Sequence, residues 1–278
     1  MVLGASAPFV SMHFYKSIPS LVADGLVILY SMLIVANWKA YVEDLTRVKK
    51  LFSVSKRLAR TTKSRIILAP PAPLLGALAA NNKSKVAFAA QDISVTTGGA
   101  LTGEVTAAAY AAAGATYAII GHSERRAQGD IDSVVALKLV RALAHGLIPI
   151  LCIGEHERNG EGRYLVFVRE ELTSALMALA PKERVQVIVA YEPLWAIGKT
   201  AAFAIKSNDL VEMVLYIRKV LAELLPGKSS TRSLVLYGGS VEPSDIRDLA
   251  ASSSVDGFLV GHASVSPDTF SLLVKQLA

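Results

Sequence analysis

Three polar residues of this chain follow short apolar runs and carry side chains suited to moving a proton beside a carbonyl group. They are Lys39 in Asn37-Trp38-Lys39, His122 in Gly121-His122-Ser123-Glu124-Arg125-Arg126, and Glu192 in Tyr191-Glu192-Pro193. A carboxylate can take a carbon-bound proton, and a histidine and a lysine can stabilise the charge that then develops on oxygen. Two further runs end in glycine turns, Gly238-Gly239-Ser240 and Gly261-His262-Ala263-Ser264. Glycine leaves backbone N–H groups uncovered, and such donors suit a phosphate. Singly, each feature reads as an ordinary solvated lysine, structural histidine, loop glutamate or turn. Their joint placement after apolar runs points instead to proton transfer next to a phosphate-bearing carbonyl. Gly198-Lys199-Thr200 resembles the tail of a nucleotide-binding loop, but that motif needs glycine at position 193, which is Pro193. No Cys/His cluster or H-E-x-x-H run offers a transition-metal site.

The elements that must position these groups alternate along the chain. Apolar, β-rich runs occupy 32–36, 65–69, 86–90, 117–121, 148–153, 185–190, 233–238 and 257–261. They are nearly continuous in hydrophobicity, as parallel strands covered on both faces must be. Amphipathic stretches with helical spacing lie between them, at 43–60, 131–145, 162–180, 207–225 and 267–277. Ser207 is the expected N-cap of the fourth of these, with Asp209 in its first turn and Pro226-Gly227 as its stop. Eight strands, each followed by a helix, predict a single-domain α/β fold, a (β/α)8 barrel over residues 32–278. A doubly wound open sheet is the structural alternative that strand counting leaves open. In a barrel the C-terminal strand ends converge on one face, so the polar groups would meet there.

Composition restricts the function further. The 278 residues are 52% apolar and 19% charged, which supplies a large core and excludes a disordered chain. The net charge of +6 comes from scattered lysines and arginines. It describes a mildly basic, solvated surface that attracts small anions, with no nucleic-acid patch and no membrane partner. Cys152 is the single cysteine, so no intrachain disulfide forms; it reads as a small buried hydrophobe, compatible with a reducing cytoplasm. The first 31 residues lack a basic region before an apolar stretch, and Asp24 interrupts their most hydrophobic part. Neither a signal peptide nor a membrane span is expected there, and residues 1–31 are read as a dispensable extension.

With these residues in view, the chain closely resembles the triosephosphate isomerase family. The shared segments are ANWK (36–39), GALTGEVT (99–106), IIGHSERR (119–126), ILCIGE (150–155), AYEPLWAIG (190–198), YGGSV (237–241) and GFLVG (257–261). The resemblance implies interconversion of dihydroxyacetone phosphate and D-glyceraldehyde 3-phosphate in glycolysis and gluconeogenesis, in the cytoplasm, with no cofactor or metal. It implies that Glu192 is the base, that neutral His122 polarises the carbonyl, and that Lys39 attracts the phosphate and stabilises the oxyanion. Asn37 and Ser123 would help position these groups, and Glu124 would support Lys39. Backbone N–H groups of Gly198, Ser240, Gly261 and His262 would hold the phosphate. Ile197 and Leu259 would close over the base, and Tyr237 would anchor the lid. A homodimer is implied, with Thr102 reaching into the partner's site and Glu104 and Arg125 forming a charged pair that supports the contact. The chain departs from the family pattern at three places. The lid runs from Gly198 directly into Lys199-Thr200, two residues short. His262 replaces a glycine, where a left-handed backbone would be strained. Ala40-Tyr41 replaces Met-Asn after Lys39. Two rivals remain on the residues alone: another phosphate-binding barrel isomerase, and a barrel that only binds a phosphometabolite.

Overall fold

The computed structural model describes residues 31–158, 160–196, 205–227 and 233–278. Eight parallel strands form a closed barrel in sequence order, with β1 pairing both β2 and β8. The strands are β1 (Leu33–Asn37), β2 (Arg65–Ala69), β3 (Ala87–Ala90), β4 (Tyr117–Ile120), β5 (Ile148–Ile153), β6 (Ile188–Tyr191), β7 (Val235–Tyr237) and β8 (Gly257–Val260). The helices are α1 (Leu45–Thr61), α2 (Ala72–Ala80), α3 (Ala107–Ala112), α4 (Ser123–Arg126), α5 (Asp132–Ala144), α6 (Arg163–Met177), α7 (Pro181–Arg184), α8 (Ser207–Leu224), α9 (Ile246–Ser253) and α10 (Pro267–Lys275). Closure rules out the open sheet that strand counting allowed.

Closure also explains why the strands are apolar throughout. Alternate residues point to opposite faces. Leu33, Val35, Ile67, Ile119, Ile150, Ala190 and Leu259 fill the barrel interior. Ile34, Ala36, Ile66, Leu68, Val189 and Val260 turn outward and pack under the helices. The register carries this around the ring, with Val35 opposite both Ile67 and Leu259.

Two expectations shift. The sixth strand begins at Ile188 rather than at 185, because Pro181–Arg184 forms a helical turn that carries the chain up to it. The N-cap of α8 is Lys206, not Ser207, and no side chain caps the helix. Ile205, just before that cap, and Leu210 in the second turn are both buried. Burial of this apolar pair sets the entry of the chain, so Ser207 falls inside the first turn. The helix stops where expected: Leu225 is extended and Gly227 has φ 57°.

Candidate active site

β1 delivers the first polar group. Asn37 ends that strand almost fully buried, and its Oδ1 accepts the Lys39 N–H at 3.1 Å. The side-chain turn folds the backbone so that Lys39 adopts φ 47°, a left-handed conformation that costs a lysine about 1 kcal/mol or more. Gln91, directly after β3, holds it there. Its amide donates to the carbonyls of Lys39 and Ala69, both at 2.9 Å. The Lys39 ammonium donates to Glu124 Oε1 at 2.7 Å.

β4 delivers the second. His122 caps the short helix α4, and its Nδ1 accepts the Glu124 N–H at 3.1 Å. Nδ1 therefore presents a lone pair, and the neutral ring carries its proton on Nε2. That Nε2 lies 3.3 Å from Glu192 Oε1.

β6 delivers the third. Glu192 is only 2% exposed, and its Oε2 accepts the Ser123 N–H at 3.1 Å. Its own N–H donates to the Ile153 carbonyl at 2.7 Å. Glycines leave the slot through which it passes. A Cβ on Gly154 would fall 1.9 Å from the Glu192 carbonyl oxygen, and one on Gly238 would fall 2.9 Å from Glu192 Cγ.

The turns after β7 and β8 border the same space. Gly261 faces the Lys39 side chain, since a Cβ there would lie 3.5 Å from its Cε and 3.9 Å from its Nζ. Ser240 Oγ donates to the Ala196 carbonyl at 3.2 Å, at the end of a 3₁₀ turn spanning Leu194–Ala196. Tyr237 is buried under Gly239, and its hydroxyl has no hydrogen-bond partner among the described residues. Burial pushes that phenol well above its ordinary range. Leu259 belongs to the interior cluster with Cys152 and Ala190. Ile197, Gly198 and the shortened lid lie outside the described residues.

His262 opens a 3₁₀ turn and does not adopt a positive φ, so the expected left-handed strain is not present. Its ring meets that of Tyr41 edge-on, with centroids 6.0 Å apart. Two departures from the family pattern thus contact each other. Thr102 and Glu104 lie exposed in the loop between β3 and α3, which turns at positive φ on Gly98, Gly99 and Gly103. Within the chain Arg125 pairs not with Glu104 but with Asp92, at 2.9 Å. Among the described residues no group of three or more His, Cys, Asp or Glu is arranged to hold a metal ion.

Comparison with known proteins adds to this geometry. The family model described as triosephosphate isomerase matches residues 32–277, which spans the whole barrel. The chain belongs to the triosephosphate isomerase family. It is 39% identical over 243 residues to the triosephosphate isomerase of Cupriavidus pinatubonensis, covering 86% of this chain and 96% of that one. Over 249 residues it is 36% identical to the triosephosphate isomerases of Symbiobacterium thermophilum and Thermus thermophilus, covering 88% of this chain and 96% and 98% of theirs.

Around this candidate site stand residues to which sequence reasoning assigned no role. Glu155, 1% exposed, accepts from Tyr191 Oη and Trp195 Nε1, both at 2.8 Å, and so anchors the turn that leaves Glu192. Lys138, 3% exposed, reaches Asp92 at 2.7 Å and Asp130 at 2.5 Å. Glu171, 3% exposed, accepts the Gly154 N–H at 2.8 Å. Lys138 and Glu171 had a legible signal, because each stands on the apolar face of its helix, beside Leu139 and Leu172.

Proposed function

We propose that Glu192, His122 and Lys39 carry the family's reaction, the interconversion of dihydroxyacetone phosphate and D-glyceraldehyde 3-phosphate in glycolysis. The observation that supports this most is the approach of Glu192 Oε1 to His122 Nε2 at 3.3 Å in a pocket that buries the carboxylate. Among the described residues Oε1 has no backbone donor, whereas Oε2 is held by Ser123, so Oε1 is the oxygen assigned to the proton. It removes a proton from C1 of the ketose; the C–H electron pair becomes the C1–C2 double bond and the carbonyl pair moves to O2. Nε2–H of neutral His122 and the Lys39 cation stabilise the resulting enediolate. His122 gives its Nε2 proton to O2 and recovers one from O1. Protonated Glu192 then returns its proton to C2, which yields the aldehyde with all charges restored.

Asn37 and Gln91 support Lys39 in its left-handed turn, and Glu124 holds its ammonium. In this reading the backbone N–H groups of Gly198, Ser240, Gly261 and His262 hold the phosphate, while Ile197 and Leu259 keep water from the base. Residues 32–278 form the catalytic unit and 1–31 are dispensable. A homodimer, in which Thr102 enters the partner's site, operates in the cytoplasm and serves gluconeogenesis as well. No helix among the described residues is long and apolar enough to cross a membrane.

A coupled assay of triose phosphate isomerisation tests the central assignment. Glu192→Gln should lower kcat by roughly 10²- to 10⁴-fold while binding of a phosphate-bearing inhibitor persists. Equal turnover in the two proteins would refute Glu192 as the base.

A further inference from the structure

Glu171 stands on the core face of α6 between Val168 and Leu172, where a carboxylate is costly to bury. Its two oxygens reach different parts of the site. Oε2 accepts the Gly154 N–H at 2.8 Å. Gly154 lies in the turn on which Glu192 rests, where the Ile153 carbonyl accepts the Glu192 N–H and Gly154 packs against the Glu192 carbonyl. Oε1 faces Arg126 Nη2 at 3.3 Å. Arg126 ends α4, the helix that begins with Ser123, and its Nε donates to the Gly121 carbonyl at 3.0 Å, beside His122. One buried carboxylate thereby links the turn beneath Glu192 to the segment that bears His122 and Ser123.

We propose that Glu171 is a positioning residue for proton transfer: ionised, it holds the turns after β4 and β5 in place around Glu192. The proposal rests on the assignment of Glu192 as the base. The charged and titratable groups around it are Arg126 from α4, Asp132 from α5, Cys152 from β5 and Glu192 itself. Arg126 Nη1 is taken by Asp132 at 2.7 Å, while buried Nη2 makes no hydrogen bond of good geometry among the described residues. The negative charge of Glu171 is therefore what balances that side of the guanidinium. Burial raises the Glu171 carboxyl to about 7, against the opposing pull of Arg126 and the Gly154 N–H. At pH 8 Glu171 is an anion. At pH 6 it is largely neutral, and its hold on Arg126, and so on the segment that bears His122 and Ser123, is weakened.

The test is kcat at saturating triose phosphate from pH 6 to pH 8, in wild type and in Glu171→Gln. Wild-type kcat should rise about five- to tenfold with one ionisation near neutrality. Glu171→Gln, isosteric and uncharged, should stay flat near the low-pH rate of wild type, with KM moved less than about twofold. A flat wild-type profile overturns the proposal, as does a variant that keeps the ionisation. If Glu171→Gln does not fold, a flat wild-type profile still overturns the proposal. Loss of activity in Glu192→Gln together with an unchanged profile in Glu171→Gln rejects only the role of Glu171. Full activity in Glu192→Gln rejects the base assignment beneath it.

Discussion

Gly238→Ala provides a graded test of how tightly the site holds its carboxylate. The added Cβ would lie 2.9 Å from Glu192 Cγ and 3.4 Å from its Oε1, yet 3.5 Å from the Tyr191 carbonyl oxygen. The last contact is ordinary and the first is not, so the strain is relieved by moving the Glu192 side chain. That side chain has little room, being 2% exposed and held by Ser123 on one oxygen. Overpacking of this kind costs about 1–3 kcal/mol. A shift of half an ångström to one ångström in a reacting group lowers the rate by about 10- to 100-fold, or about 1.4–2.7 kcal/mol in the barrier. The coupled assay should show this loss in kcat with KM changed less than about threefold. The melting temperature should fall by a few degrees, about 2–4 °C for each kcal/mol in a chain of this size. If kcat stays within about twofold while the protein is destabilised as expected, the strain has been taken up elsewhere and the reasoning fails.

Three further outcomes follow from buried polar groups. Glu155→Leu orphans the donors of Tyr191 and Trp195 and should cost about 3 kcal/mol in denaturant unfolding. Glu155→Gln still offers one oxygen to both donors and should cost less than half as much. Lys138→Met leaves Asp92 and Asp130 without their shared cation, at about 3 kcal/mol, the lower end for a broken buried pair because Arg125 stays at 2.9 Å from Asp92. Adding Asp92→Asn should recover part of that loss in a double-mutant cycle. The third outcome is a pH dependence of stability. The Glu171 carboxyl rises from 4.5 to about 7 on folding, so between these values the native state holds a proton that the unfolded state has released. Stability from this group is complete below pH 4.5, declines as pH rises toward 7 and is level above it, by about 3 kcal/mol in all. Wild type measured against Glu171→Gln should show that decline, and parallel pH curves for the two proteins would exclude it.

The barrel was legible because both faces of each strand are buried, which leaves an unbroken apolar run for every strand. The reacting groups were legible for a related reason. A strand that must be apolar makes the first polar residue beyond it conspicuous, as with Lys39 after Asn37, His122 after Gly121 and Glu192 after Tyr191. The support around them was not legible in the same way. Glu171, Glu155 and Gln91 act through partners 17, 36 and 52 residues away, and nothing local pairs them. Helical spacing marks where Lys138 and Glu171 stand, but only the closed barrel shows what they reach. The Ser207 cap failed because burial of Ile205 and Leu210 outweighed a local hydroxyl preference. The Tyr41–His262 contact joins positions that sequence alone treats as two separate departures.

The rim of this site therefore has positions of two kinds for anyone wishing to redesign it. Gly238 and Gly239 are closely packed by their neighbours, and a side chain at either must displace Glu192 or Tyr237. Position 262 already carries one, without a positive φ, and its main-chain N–H is kept by every residue except proline. A saturation library at 262, with Tyr41 varied alongside it, would sample new chemistry at the mouth of the pocket without a charge to the barrel's folding. Substrate scope in this scaffold is best diversified at 262, where the side chain stands on a backbone without a positive φ.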